Sequence, residues 1–84
     1  MNHQPLQVLR LSVVAESDSP ALARVLERFQ ILNVFPQRVV AEISNNTECC
    51  IHVDVAGMSE RALGLIAAKL GQVPCILRAS WAYP

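Results

Sequence analysis

Four residues in one short segment carry side chains that could bind a metal ion or move a proton: Cys49, Cys50, His52 and Asp54. Apolar and polar residues alternate over 49–55, which predicts a strand whose successive side chains point to opposite faces. Cys49 and Cys50 would therefore point apart and could not easily bind one metal ion. His52 could act as a ligand or a general base, and Asp54 would share its face. Such a pair on a strand is more often a surface polar contact, and we expect no metal site.

Composition limits the remaining possibilities. The chain has 84 residues, of which 52% are hydrophobic and 17% charged, so it should fold as one small domain. Its formal net charge of zero argues against nucleic acid or an anionic membrane as the main partner. We also expect no membrane span and no signal peptide, and therefore a cytoplasmic protein.

The three cysteines are an odd number, which fits a reducing compartment better than a disulfide framework. We interpret Cys49 and Cys75 as small core residues and Cys50 as a small residue on the opposite face of its strand.

Hydrophobic periodicity divides the chain into four strands and two helices. The strands are predicted over 6–15, 35–43, 49–55 and 73–81. In the last one, Cys75, Leu77 and Ala79 should face the core, with Ile76, Arg78 and Ser80 on the other side. Pro36 cannot donate a ladder hydrogen bond, so the second strand should lie at an edge of the sheet.

The first helix should begin with Ser19 as N-cap and Pro20 in the first helical position, and end near Asn33. Its buried stripe is predicted from the spacing i, i+3, i+4, i+7: Leu22, Val25, Leu26 and Phe29. The second helix should start after Ser59 and end at Gly71. Its buried stripe is predicted to be Leu63, Ile66, Ala67 and Leu70.

The order β-α-β-β-α-β predicts the ferredoxin-like α+β fold, with a four-stranded antiparallel sheet and both helices on one face. The other face should stay open, and its mixture of charged and apolar groups suits a protein partner. The candidate residues of this partner face are Arg10, Arg38, His52, Asp54 and Arg78.

Nothing in the sequence resembles a catalytic constellation. The acidic residues are scattered and there is no glycine-rich phosphate loop. RNA-binding domains of this topology need aromatic residues on the open face, which is not predicted to carry them. An acylphosphatase-like hydrolase needs an arginine in the first loop, where residues 16–20 hold two acids and no arginine.

Three segments carry a resemblance to a known family. They are SPALARVLERF (19–29), NVFPQRVV (33–40) and AKLGQVPCILR (68–78). With the predicted topology they resemble an ACT domain over 6–81, most closely that of the small regulatory subunit of acetolactate synthase. The resemblance implies a non-catalytic chain without cofactor that activates the large catalytic subunit of that thiamine-diphosphate enzyme in branched-chain amino acid synthesis.

The resemblance also implies a homodimer in which the second strands pair side by side. The candidate edge residues are Gln37, Val39, Ala41 and Ile43. An amino-acid effector would bind at the seam, between the first loop of one chain and the segment before the second strand of the other. The candidate effector residues are Ser17, Asp18, Ser19, Pro20, Ala21, Leu22, Val34 and Phe35.

This chain departs from the family pattern at two of those positions. Pro20 replaces a small residue that has an N–H, and Phe35 stands at a polar position. Both changes remove groups that would hold a zwitterion, so we expect weak or no valine binding. The alternative hypothesis is a free-standing ACT-domain amino-acid sensor, or a regulatory module of another metabolic enzyme.

Overall fold

The computed structural model describes residues 7–84. Its elements follow the predicted order: β1 (Val8–Glu16), α1 (Ala21–Ile31), β2 (Arg38–Ile43), β3 (Glu48–Ala56), α2 (Glu60–Leu70) and β4 (Ile76–Ala82). Residue 6, where the first strand and the domain were predicted to begin, lies outside the described residues.

The four strands form one antiparallel sheet in the order β2-β3-β1-β4. The ferredoxin-like fold is therefore confirmed. The edge position predicted for the strand after Pro36 is also correct. Because β2 begins at Arg38, Pro36 lies before the ladder, and its missing N–H costs the ladder no hydrogen bond.

The core lies between one face of the sheet and the two helices. Every second residue is buried from Leu9 to Ala15 in β1 and from Ile51 to Val55 in β3, as the alternation predicted. These strand residues are Leu9, Leu11, Val13, Ala15, Ile51, Val53 and Val55. The second helix buries the predicted stripe of Leu63, Ile66, Ala67 and Leu70.

The first helix is rotated slightly from the prediction. Its buried residues are Ala21, Val25 and Phe29, while Leu22 is 40% exposed. Pro20, and not Ser19, occupies the N-cap. The Ser19 hydroxyl still accepts a hydrogen bond from the Ala21 N–H, at 3.3 Å. A residue without a capping side chain thus holds the cap position, and its neighbour satisfies one N–H of the first turn.

Both helix ends follow from local chemistry. Asn33 has a φ of 57°, and the N–H of Val34 donates to the Phe29 carbonyl, which makes a Schellman motif after α1. The Ser59 hydroxyl accepts from the Ala62 N–H at 3.0 Å and caps α2 as predicted. Gly71 ends that helix in a right-handed conformation, so its freedom to adopt positive φ is not used.

The predicted faces of β4 are wrong at its start. Ile76 is 5% exposed and belongs to the core, whereas Leu77 is 48% exposed. The register with β1 shifts between Val14 and Ala15, because Val14 pairs with Arg78 and Ala15 with Ile76. Leu77 is the extra residue of this β-bulge, which interrupts the period of two on which the prediction relied.

Candidate functional site

The open face of the sheet presents three rows of side chains across the four strands. The row nearest the start of β2 runs Arg38, Asp54, Arg10, Ala82; the middle row runs Val40, His52, Ser12, Ser80; the third runs Glu42, Cys50, Val14, Arg78. The pairing registers therefore bring all five predicted partner-face residues onto one surface. Ile76, which was also expected there, lies on the core side instead.

An ion pair joins the two central strands on this face. The Arg10 guanidinium donates to both carboxylate oxygens of Asp54, from Nε at 2.7 Å and from Nη2 at 3.0 Å. These hydrogen bonds hold the pKa of Asp54 below its usual range, and the charges of Arg10, Arg38 and His52 add to the effect. Because two hydrogen bonds join the same two side chains, they fix the orientation of the guanidinium plane as well as the position of its charge.

His52 has a different partner from the one that its sequence neighbourhood offered. Its Nδ1 shares a 3.0 Å hydrogen bond with the Ser12 hydroxyl, directly across the β1–β3 ladder. Asp54 bonds Arg10, so the two residues act as separate cross-strand contacts and form no acid–base dyad. Ser12 was missed as a partner because only the strand register, and not the sequence, places it opposite His52.

A shallow cavity of about 290 Å³ lies over the β2 half of this face. Its lining comes from three strands: Arg10, Arg38, Val40, Glu42, His52 and Asp54. Because Arg10 is committed to Asp54, Arg38 and Glu42 are the charged groups on the β2 side that a partner would meet first. Arg78 lies at the far side, on β4.

A second cavity, of about 270 Å³, lies between the start of α1 and the end of β2. It contains four of the predicted effector residues: Ser17, Ser19, Ala21 and Leu22. The opposite wall is made by residues outside the predicted effector set, among them Ala41, Ile43, Cys49 and Ile51; Ala41 and Ile43 were predicted for the pairing edge instead. Their participation depends on the β2–β3 register, which places Ala41 beside Ile51 and Ile43 beside Cys49.

The two serine hydroxyl groups of this groove are already occupied, while Glu42 adds a carboxylate to its lining. The Ser17 hydroxyl donates to the Asn46 carbonyl at 3.1 Å, and the Ser19 hydroxyl donates to the Glu16 carbonyl at 2.6 Å. Asp18 and Pro20 are exposed at the rim. The groove therefore offers mainly apolar surface to whatever enters it.

The other predicted effector residues lie at the opposite end of β2. Val34 packs against the core, and the Phe35 side chain is 94% exposed. Arg38 to Ile43 span roughly 17 Å at the usual rise of a strand. One chain alone thus does not bring the two groups of effector residues together.

The outer edge of β2 is available for pairing. The N–H of Ser44 donates to the Glu48 carbonyl at 2.9 Å, which makes this a hydrogen-bonded pair of the β2–β3 ladder. Such pairs alternate along an antiparallel ladder, so the backbone groups of Val39, Ala41 and Ile43 point away from β3. Three of the four predicted edge residues therefore present free backbone groups; Gln37 instead donates its N–H to the Asp54 carbonyl.

Within residues 7–84, no cluster of three His, Cys, Asp or Glu side chains is placed to hold a metal ion. No helix in that part of the chain is long and apolar enough to cross a membrane. Cys49 and Cys75 are half-buried against the core, and Cys50 is half-buried on the open face.

No protein-family model matches this sequence, and no curated protein matches it significantly. Similar solved structures do exist. The C-terminal domain of the MgtC protein from Mycobacterium tuberculosis has a TM-score of 0.78 at 12% identity, over 100% of this chain and 94% of that chain. An uncharacterized protein from Thermotoga maritima, TM1266, has a TM-score of 0.69 at 19% identity, over 90% of this chain and 94% of that chain.

The ACT domain of GTP pyrophosphokinase from Chlorobium tepidum is also similar. Its solution structure has a TM-score of 0.74 at 9% identity, over 92% of this chain and 86% of that chain. At such identities the likeness concerns the fold. The six elements, their order and the one-sided helix layer give this chain the ferredoxin-like fold that ACT domains have.

Proposed function

We propose that this chain is a small regulatory module, without an active site of its own, that pairs with a second copy through β2 and activates the large catalytic subunit of acetolactate synthase. The observation that carries the proposal is the uncovered β2 edge, which lies between the two halves of the predicted effector site. The sequence resemblance to the small subunit supplies the identity of the partner.

The side chains of β2 support pairing with a second copy. Val39 and Ile43 are 40% and 67% exposed on the side of the sheet that the helices cover elsewhere. In water this exposed apolar surface is unfavourable, and unpaired backbone groups beside it favour another strand. A second β2, running antiparallel about a two-fold axis, would satisfy both and extend the sheet to eight strands.

The same pairing would complete the predicted effector seam. Antiparallel strands put the start of one β2 beside the end of the other, so Phe35 of one copy would approach the groove at Leu22 of its mate. Because the Ser17 and Ser19 hydroxyls are engaged and Phe35 offers no hydrogen bond, we expect valine to bind weakly or not at all.

The open face is the proposed contact with the catalytic subunit. Pairing of the two β2 strands would leave this face free in both copies. Arg38 and Glu42 would then lie close to the two-fold axis. Charged groups around apolar neighbours such as Val40 are typical of the polar rim and apolar centre of protein interfaces.

The proposal is tested by adding the purified chain to the purified large subunit of acetolactate synthase from the same source. We expect the rate to rise with the amount of chain added and to saturate. Arg38→Glu, on the open face, should weaken this activation, while Arg61→Glu, exposed on α2, should leave it unchanged. A large subunit whose rate is unaffected by the wild-type chain would overturn the proposal.

The alternative is a regulatory module of another metabolic enzyme, favoured by the similarity to an ACT domain of GTP pyrophosphokinase. It predicts that some amino acid raises the melting temperature, since a ligand that binds only the folded state stabilises it. A melting temperature unchanged by all twenty amino acids would contradict the sensor form of this alternative.

A further inference from the structure

Phe35 is the most exposed large apolar side chain of the described residues. Its exposure is 94%, compared with 0% for Phe29 and 50% for Tyr83. An isolated phenyl ring in water is unfavourable, and aromatic side chains of this kind are enriched where proteins meet. The high exposure of Phe35 is therefore not explained by packing within residues 7–84.

The backbone on both sides holds this ring in its exposed position. The Schellman motif at Asn33 fixes the direction in which the chain leaves α1, and Val34 is anchored against the core. Pro36 follows immediately and restricts Phe35 to extended conformations. Since both flanks are fixed, little conformational freedom would be lost if the ring entered a pocket.

The groove between α1 and β2 is a pocket that no side chain of residues 7–84 fills. It encloses about 270 Å³, its hydroxyl groups are engaged, and Leu22 and Ile43 expose apolar surface there. Phe35 lies beyond the opposite end of β2 and does not line it. The ring of a second copy, however, approaches from the other direction.

The register of a β2–β2 pair decides where that ring would lie. Within β2, Val39, Ala41 and Ile43 have outward-pointing backbone groups, so a two-fold axis at any residue from Val39 to Ile43 gives at least one hydrogen-bonded pair, and an axis at Ala41 gives the most. Counted along the strands, Phe35 of one copy would then lie at the level of positions 43 to 51 of the other, which cover the end of β2, the turn after it and the start of β3. Within that range, Ile43, Cys49 and Ile51 line the groove.

We propose that, in the pair formed through β2, Phe35 of each copy inserts into the α1–β2 groove of the other and fills the space where an effector amino acid would bind. This inference rests on the proposed β2 pairing. In this arrangement the second copy, and not a metabolite, occupies the groove. The affinity of pairing then does not depend on the amino-acid concentration.

The inference is tested by intermolecular nuclear Overhauser effects in a mixed sample of the full chain. One half of the chains carries protons only on phenylalanine rings, and the other half only on the methyl groups of Ala, Leu and Ile. The chain has only two phenylalanines, and Phe29 is buried in its own core, so a contact between chains would come from Phe35. We expect signals to the methyl groups of Leu22, Ala41 and Ile43, and their loss in Phe35→Ala.

The same variant gives a second measurement. Phe35→Ala should weaken self-association by about tenfold or more, as expected for loss of an aromatic anchor. Its melting temperature at high dilution should stay close to that of the wild type, because the ring contacts little in one chain. Leu77→Ala, an exposed residue of the other edge strand, serves as the control and should leave association unchanged.

The outcomes separate the two proposals. A chain that stays monomeric at millimolar concentration would overturn both the β2 pairing and the insertion of Phe35. A dimer that lacks signals from the Phe35 ring to the groove methyl groups would overturn the insertion and leave the pairing standing.

Discussion

The two edge strands of the sheet differ in how they are protected. The β2 strand keeps a regular register with β3 from Arg38 to Ile43, and its apolar side chains are exposed. The β4 strand contains the bulge at Leu77 and lies under α2. There Trp81 packs against Gly64, and its ring meets that of Tyr83 edge-on at 5.9 Å.

The difference shows which edge can accept another strand. A bulge bends and twists an edge, so β4 is the poorer template for further pairing. A regular edge with outward-pointing backbone groups is a good one. Of the two edges, β2 is therefore the one that we propose for pairing.

The largest effect is expected from a charge on the β2 edge. Ile43→Lys should dissociate the proposed β2 pair, because burying an isoleucine contributes about 1.5–3 kcal/mol and a symmetric interface would lose two of them. The affinity should fall by roughly a factor of 100 or more. Sedimentation equilibrium, which gives the molecular mass directly, measures this change.

Leu77→Lys is the matched control on the other edge. Leu77 is 48% exposed at a bulge, so the added charge should alter neither folding nor molecular mass. If Leu77→Lys dissociated the pair and Ile43→Lys did not, the assignment of the two edges would be reversed.

A smaller effect is expected from removing the aromatic cover of β4. Trp81→Ala should lower the free energy of unfolding by about 2–3 kcal/mol, somewhat less than for a fully buried tryptophan. This loss should be the same at every protein concentration, because Trp81 stabilises its own chain. Chemical denaturation at two concentrations provides the measurement.

Ile43→Ala should behave differently in the same experiment. Its loss of stability should grow with protein concentration, since the side chain contributes through the paired state. Equal losses at high and low concentration would mean that Ile43 stabilises only its own chain, against the comparison of the two edges.

The smallest effect concerns the ion pair between the central strands. Because Arg10 lowers the pKa of Asp54 in the folded chain, the pair stabilises the fold above the unfolded-state pKa of about 3.9 and stops doing so as the pH falls through the folded-state pKa. Asp54→Asn should therefore be less stable than the wild type at pH 7, and the difference should shrink at acid pH. A difference that stayed constant from pH 7 to pH 3 would exclude this origin.

Much of the architecture followed from local patterns. Strict alternation in β1 and β3 predicted which residues are buried, because both strands lie in the centre of the sheet with one face covered. Ser59 and Asn33 predicted helix boundaries because capping and left-handed backbone are local chemistry. Patterns failed where a neighbouring strand changed the geometry, as at the bulge that exposes Leu77 and buries Ile76.

The candidate site was less predictable than the fold. The sequence indicated that Ser17 to Leu22 could form one wall of a groove, but the other wall, at Ala41 and Cys49, is set by the β2–β3 register. His52 likewise shares a hydrogen bond with Ser12 across the ladder, while Asp54, two residues further along β3, accepts hydrogen bonds from Arg10. Contacts between strands depend on the pairing register, which cannot be read from the hydrophobic periodicity of a single strand.

The sequence by itself determined the number, order and polarity of the elements, since periodicity and caps are properties of adjacent residues. Only the tertiary structure decided which edge keeps a regular register and exposed apolar side chains, because that depends on where the helices lie over the sheet and on a bulge created by pairing with β1. The exposure of Phe35 has the same two origins: its neighbours in sequence fix the direction of the chain, and no element within residues 7–84 covers the ring.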